Sequence, residues 1–132
     1  MAVLKYRNGS TVETLLDTRY ADLLPPHAVT GWSLVNCTAV GFDVTRTGAV
    51  VSIIARIKVT SSVAAGKELK VAEGLPVPFA SEGGRGSAWA NSAHLNGTVY
   101  VSAAGELWLQ NKGETSLGTS EYVFIEASYP SA

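Results

Sequence analysis

Across residues 42–60, apolar and polar residues alternate on both sides of Arg46-Thr47-Gly48. A period of two sends successive side chains to opposite faces of an extended strand, and a helix cannot bury that pattern on one side. In the second run Val51, Ile53, Ala55, Ile57 and Val59 share one face, while Ser52, Arg56, Lys58 and Thr60 share the other. Two such runs around a short turn predict an antiparallel hairpin with one buried face. The same pattern predicts further strands at residues 32–36, 38–46, 49–60, 68–72, 87–95, 98–103, 106–110 and 121–129. Turn signals separate them at Thr47-Gly48, Ala65-Gly66, Asn96-Gly97, Ala104-Gly105 and residues 113–118. About eight strands at this spacing imply an all-β antiparallel sandwich or jelly roll, because a single flat sheet would leave one apolar face uncovered.

Two connecting segments interrupt the strands. Leu75-Pro76-Val77-Pro78-Phe79 is expected to be extended and to cross between sheets, since proline cannot donate to a central ladder. Ser81-Glu82-Gly83-Gly84-Arg85-Gly86-Ser87 is expected to be the most flexible piece. Ahead of the body, residues 1–26 form an arm with two readings. Asn8-Gly9 suits the turn of a small hairpin. Alternatively, Ser10 and Glu13 form a capping box, and Leu15, Leu16, Tyr20, Leu23 and Leu24 recur at helical spacing until Pro25-Pro26. Either way the arm is amphipathic and must cover its apolar side against the body, a sister subunit or a larger assembly. The expected division is a docking arm at 1–26 and a β-rich body at 27–132.

Composition excludes several classes of partner. The chain has 132 residues, 46% of them hydrophobic, which suits one domain with a substantial core. Ten basic against eleven acidic residues give a net charge of −1, and the basic residues are scattered. That distribution provides no footprint for nucleic acid or for an anionic membrane. No apolar run is long enough to span a bilayer as a helix, and Lys5, Arg7 and Asn8 interrupt any signal-peptide core. The Asn-x-Ser/Thr triplets at Asn8, Asn36 and Asn96 are therefore read as incidental rather than as glycan acceptors, and the two Asn-Gly pairs, at Asn8 and Asn96, as turn residues. The single cysteine, Cys37, excludes an intramolecular disulfide and reads as a small buried apolar residue.

Catalytic and metal-binding signals are weak. His27 and His94 have no partners at metal-ligand spacing, so neither a metal nor another cofactor is expected. Gly84-Arg85-Gly86-Ser87 is not a nucleophile elbow, for no helix pattern follows it. Carboxylates at Glu82, Glu106, Glu114, Glu121 and Glu126 read as solvated side chains, and the chain is expected not to be an enzyme. The aromatic residues say more. Strict alternation puts Leu107 and Leu109 inward and Trp108 outward with Glu106 and Gln110, while Tyr100 faces outward on the preceding strand. If these strands pair, Tyr100 and Trp108 form one amphipathic platform. Such a platform is covered by a second subunit or stacks on sugar rings. Trp89, with Asn91 and His94, forms a second mixed cluster, for which the alternative is a core tryptophan beside ordinary polar residues.

The order of features is similar to a known family. Gly31-Trp32, then Val44-Thr45-Arg46-Thr47-Gly48-Ala49-Val50-Val51, Leu75-Pro76-Val77-Pro78-Phe79, Asn96-Gly97-Thr98-Val99-Tyr100-Val101, Gly105-Glu106-Leu107-Trp108-Leu109 and Ala127-Ser128-Tyr129-Pro130 follow one another. Together they resemble the head domains of tailed-phage receptor-binding and baseplate proteins. The opening Lys5-Tyr6-Arg7-Asn8-Gly9-Ser10 resembles the starts of short phage tail and head accessory proteins. The resemblance implies a virion surface protein assembled in the host cytoplasm, a homotrimer held to other virion proteins by its arm and binding host-surface saccharide. No shaft or repeat lies between arm and head, so a capsid decoration protein or head fibre is the alternative. The resemblance fixes no saccharide residues. Trp89, Asn91, His94, Tyr100 and Trp108 are candidates on side-chain chemistry alone.

Overall fold

A computed structural model describes residues 25–80, 84–90 and 96–131. The expected arm, with Leu15, Leu16, Tyr20, Leu23 and Leu24, lies outside the described residues, as does the choice between hairpin and helix. The described residues hold nine strands: β1 (His27–Ala28), β2 (Ser33–Leu34), β3 (Cys37–Thr47), β4 (Val50–Val59), β5 (Glu68–Glu73), β6 (Gly84–Ala90), β7 (Asn96–Val101), β8 (Leu107–Asn111) and β9 (Val123–Pro130). No helix occurs among them. All pairings are antiparallel, in the order β1-β3-β4-β9-β6-β7-β8-β5-β2.

The two outermost strands explain how one sheet encloses a core. β1 and β2 lie at opposite ends of the order, yet only Val29, Thr30, Gly31 and Trp32 separate them in the chain. Four residues reach at most about 14 Å, so the sheet must curl until its ends approach. The link from β2 into β3 is tied to β5 on the far side. Val35 N–H donates to the Val71 carbonyl (3.0 Å), Asn36 Nδ2 to the Lys70 carbonyl (3.1 Å), and Cys37 Sγ to the Val71 carbonyl (3.3 Å). Two halves of one curled sheet thus face each other, as a sandwich requires. Val51, Ile53, Ala55, Ile57 and Val59 are all buried, and so are Leu107 and Leu109, as their alternation predicts. They meet Val99, Val101, Val123, Ile125 and Tyr129 in a single apolar core.

The β3–β4 hairpin forms where its alternation places it. Thr47 pairs with Val50, leaving the two-residue loop Gly48-Ala49, and Gly48 takes φ 60°. A positive φ at the first loop position matches the twist of the flanking strands and favours glycine. Two other glycine signals behave differently from expectation. Asn96-Gly97 is no turn: Asn96 pairs with Trp89, and Gly97 pairs with both Ala88 and Asn111. Hydrogen bonding on both sides of β7 overrides the local turn preference. Likewise Gly84-Arg85-Gly86-Ser87, expected to be flexible, opens β6 between β9 and β7. A Cβ on Gly86 would overlap the Glu126 carbonyl oxygen and Ala127, so this glycine lets β6 and β9 approach closely.

The proline segment is extended, as expected, and runs across one end of the curled sheet. Leu75 N–H donates to the Gly105 carbonyl beside β8 (3.0 Å), and Phe79 N–H to the Pro130 carbonyl in β9 (2.8 Å). Tyr129 Oη donates to the Pro76 carbonyl (2.9 Å), and Ser131 Oγ to the Val77 carbonyl (2.9 Å). The Gly48 hairpin lies at this same end, because Ser131 N–H donates to the Ala49 carbonyl. So does the chain entering at Pro25, since β1 runs antiparallel to β3 with His27 opposite Arg46. The other end carries the C-terminal ends of β4, β6 and β8 and the start of β9.

Two predictions follow from this frame. Gly86→Ala should lower unfolding free energy by about 2 kcal/mol or more, as overpacking does. Gly41→Ala, where an added Cβ meets nothing within 4 Å, should be neutral or stabilising by up to ~1 kcal/mol, both read by urea titration. Burial pushes the Tyr129 hydroxyl up to about 12, partly offset by the charge of Arg46, and the Cys37 thiol up to about 11, partly offset by a hydrogen bond from Val35. In both cases the folded chain holds its proton more tightly than the unfolded chain, whose values are 10.0 and 9.0. This stabilisation is complete below pH 9 and is lost as pH rises towards 12. Denaturation midpoints should therefore fall through that window, with Tyr129→Phe flattening its upper part.

Candidate functional site

The inward residues fix which side chains the curled sheet shows outward. On adjacent strands β4, β9 and β6 they form rungs: Arg56 beside Phe124 beside Trp89, then Ile54 beside Glu126 beside Ser87. Cross-strand neighbours stand near enough for rings and long side chains to touch. Trp89 and Phe124 stack with centroids 5.7 Å apart and planes 14° apart. The Arg56 guanidinium lies 4.2 Å from the Tyr122 ring centroid and 5.6 Å from that of Phe124, and Lys58 Nζ lies 4.4 Å from Tyr122. Trp89 is 42% exposed, so the cluster presents an indole to solvent rather than burying it in the core. That outcome decides against the alternative of a core tryptophan.

Next to this aromatic shelf runs a shallow groove of about 430 Å³, lined by Ser52, Ile54, Arg85, Ser87, Glu126 and Ser128. Hydroxyls, a guanidinium, a carboxylate and one exposed aliphatic wall adjoin an exposed indole. Rings that pack on C–H faces, with polar groups to orient hydroxyls, are what saccharide recognition uses.

Tyr100 and Trp108 are brought together on the outward face, as expected, directly opposite each other on β7 and β8, with Lys70 of β5 beyond. Their polar neighbours satisfy one another. Tyr100 Oη donates to Glu68 (3.0 Å), Gln110 Nε2 to Glu68 (3.1 Å), and Thr98 Oγ1 to Gln110 (2.8 Å). Lys70 pairs with Glu73 and Glu106 at 3.1 Å each, and its hydrogen bonds to Glu106 and then Glu73 raise its pKa. Trp108 is half-buried within this network. Trp89 stands apart from it. Tyr100 pairs with Arg85, four positions along β6 from Trp89, a separation of about 13 Å. The candidates thus divide into a self-satisfied platform and an open shelf. Asn91 and His94, expected beside Trp89, lie outside the described residues.

Other chemistry is muted. Trp32 donates Nε1–H to the Val29 carbonyl (2.9 Å) and packs on Phe42, a structural role. Cys37 is half-buried with its thiol kept protonated, so it is no nucleophile. Among the described residues no three metal-ligating side chains gather. Arg56, Lys58, Tyr122 and Phe124 were not singled out as site residues from sequence. The usable signal was Tyr122-Val123-Phe124-Ile125-Glu126, where aromatics alternate outward against buried valine and isoleucine.

No family model and no curated protein sequence matches the chain. Its fold, however, is similar to that of the head domain of lactococcal phage bIL170, whose crystal structure was described in asking whether the receptor-binding domains of lactococcal phages share a common fold. The TM-score is 0.58 at 18% identity, covering 79% of this chain and 100% of that one. The resemblance drawn from the order of turns and strands points to this class of domain, and the likeness is one of fold.

Acrylamide should quench Trp89 far more than Trp32 or Trp108. Trp89→Phe should accordingly remove most of the quenchable fluorescence while leaving the circular dichroism of the sheet unchanged.

Proposed function

We propose that this chain is a phage virion surface protein that adheres to host glycans through the outward face of β4, β9 and β6, and that it is a binding module without catalytic activity. The observation that carries this reading is the opposition of two ends. The chain enters from Pro25 at the end bearing the Gly48 hairpin and the proline connector, where Phe79 is 75% exposed and Val50 and Val77 are also exposed. Trp89, Phe124 and Tyr122 lie towards the other end, at the end of β6 and the start of β9. Attachment at one end and an aromatic shelf near the other is the polarity of an adhesin. The fold likeness to a phage head domain supports the same reading.

Residues 1–26 serve as the docking arm to other virion proteins, and residues 27–132 are the displayed body. The exposed apolar residues Val50, Val77 and Phe79 lie at the same end as Pro25, and the cost of leaving them wet supports their burial between copies in a homotrimer. Tyr100, already bonded to Glu68, and the half-buried Trp108 opposite it then act in structure or subunit contact more than in sugar binding.

Light scattering should give about three times the 13.8 kDa chain mass. The purified protein should sediment with host cells or isolated walls, and Trp89→Ala should weaken that binding tenfold or more, in keeping with about 2 kcal/mol for an anchoring aromatic. Trp108→Ala should weaken it less than threefold. Wild-type protein that saturates capsids yet ignores host walls would replace adhesion with capsid decoration.

A further inference from the structure

On the aromatic shelf, Arg56 and Lys58 follow each other on the outward side of β4, both within 4.4 Å of the Tyr122 ring centroid. Neither forms a hydrogen bond or ion pair with any described residue, and Arg56 Nε is buried without a partner. Asp43 and Glu126 are both opposite Ile54, one rung away, and neither they nor Glu121, which precedes Tyr122 in the chain, forms an ion pair with these cations. Ring contact satisfies the face of a guanidinium but leaves its in-plane N–H donors pointing elsewhere. Two cations therefore share one ring while their hydrogen-bonding capacity goes unused. The position across from Arg56 on β3 is Gly41, and a Cβ placed there meets nothing within 4 Å. Space is open over Gly41, next to the bulge that follows Ala39.

We infer that Arg56 and Lys58 form a binding site for an oxyanion, taking the phosphate or carboxylate group of an acidic saccharide whose rings lie along Phe124 and Trp89. Both cations lie within 4.4 Å of one ring centroid, so their charges are at most about 9 Å apart, and an oxyanion that accepts from the guanidinium and the ammonium would neutralise both. The acidic-saccharide part of this inference rests on the adhesion reading above. The anion site itself does not.

The test uses inorganic phosphate and, separately, glucuronate, added to the 15N-labelled chain at matched ionic strength. The Arg56 Nε–Hε resonance should shift saturably in the millimolar range, with phosphate and glucuronate ranked by which group the site prefers. Arg56→Gln and Lys58→Gln should each weaken saturation at least tenfold, followed at the Trp89 indole signal. Gly41→Asp should do the same with both cations retained, because it places a carboxylate opposite Arg56. A shift matched by sodium chloride, or one unchanged in all three variants, would overturn the site. Protein that binds phosphate but no host wall would keep the site and defeat adhesion. Wall binding that survives Arg56→Gln, with no phosphate response, would defeat this inference alone.

Discussion

Strand β9 joins the halves of this molecule. It lies between β4 and β6, and Val123, Ile125, Ala127 and Tyr129 point from it into the core. Without it, the β3–β4 hairpin and the β6–β7–β8 meander would each be a small sheet with an uncovered apolar face. Most of its partners are distant in sequence: Val51 opposite Tyr129, Ile53 opposite Ala127. Closing such long loops costs entropy before any contact forms, so the gain must come from burial on both flanks of one strand. The close approach at Gly86 and the bond from Tyr129 to Pro76 belong to the same closure.

Once the inward positions of β4, β9 and β6 are committed to the core, period two leaves their outward positions free for other chemistry. That is how Trp89, Phe124, Arg56 and Ile54 come to lie side by side without weakening the interior. The face over β7, β8 and β5 is used differently. There Thr98, Gln110, Glu68 and Tyr100 bond in one group, and Lys70, opposite Trp108, bonds Glu73 and Glu106 in another. Two outward surfaces of one sheet thus differ: one ties its polar side chains to one another, and the other sets Arg56 and Lys58 against the Tyr122 ring.

Much of the frame could be read before any coordinates, because alternation is a strong local signal. The strands from β3 onwards, except the start of β6, the buried residues of β4 and β8, the outward Trp108 and Tyr100, and the extended proline connector all follow from it; residues 91–95 of the strand expected at 87–95 lie outside the described residues. β1 was missed, since two residues carry no period, and its pairing with Arg46 and Thr45 is a long-range event. Asn96-Gly97 and Gly84-Arg85-Gly86-Ser87 misled for a common reason. Glycine signals a turn locally, whereas here it serves strand interiors squeezed between neighbours. The site was legible only in part. Trp89 could be named, but that Arg56 and Phe124 flank it depends on the insertion of β9 beside β4, which no single segment encodes.

The central place of β9 also bears on biosynthesis. During translation the eight other described strands emerge before β9, the shared neighbour of β4 and β6, so the nascent chain must wait with its halves apart. A chain truncated before Val123 would leave both halves with an uncovered apolar face and could not close its core.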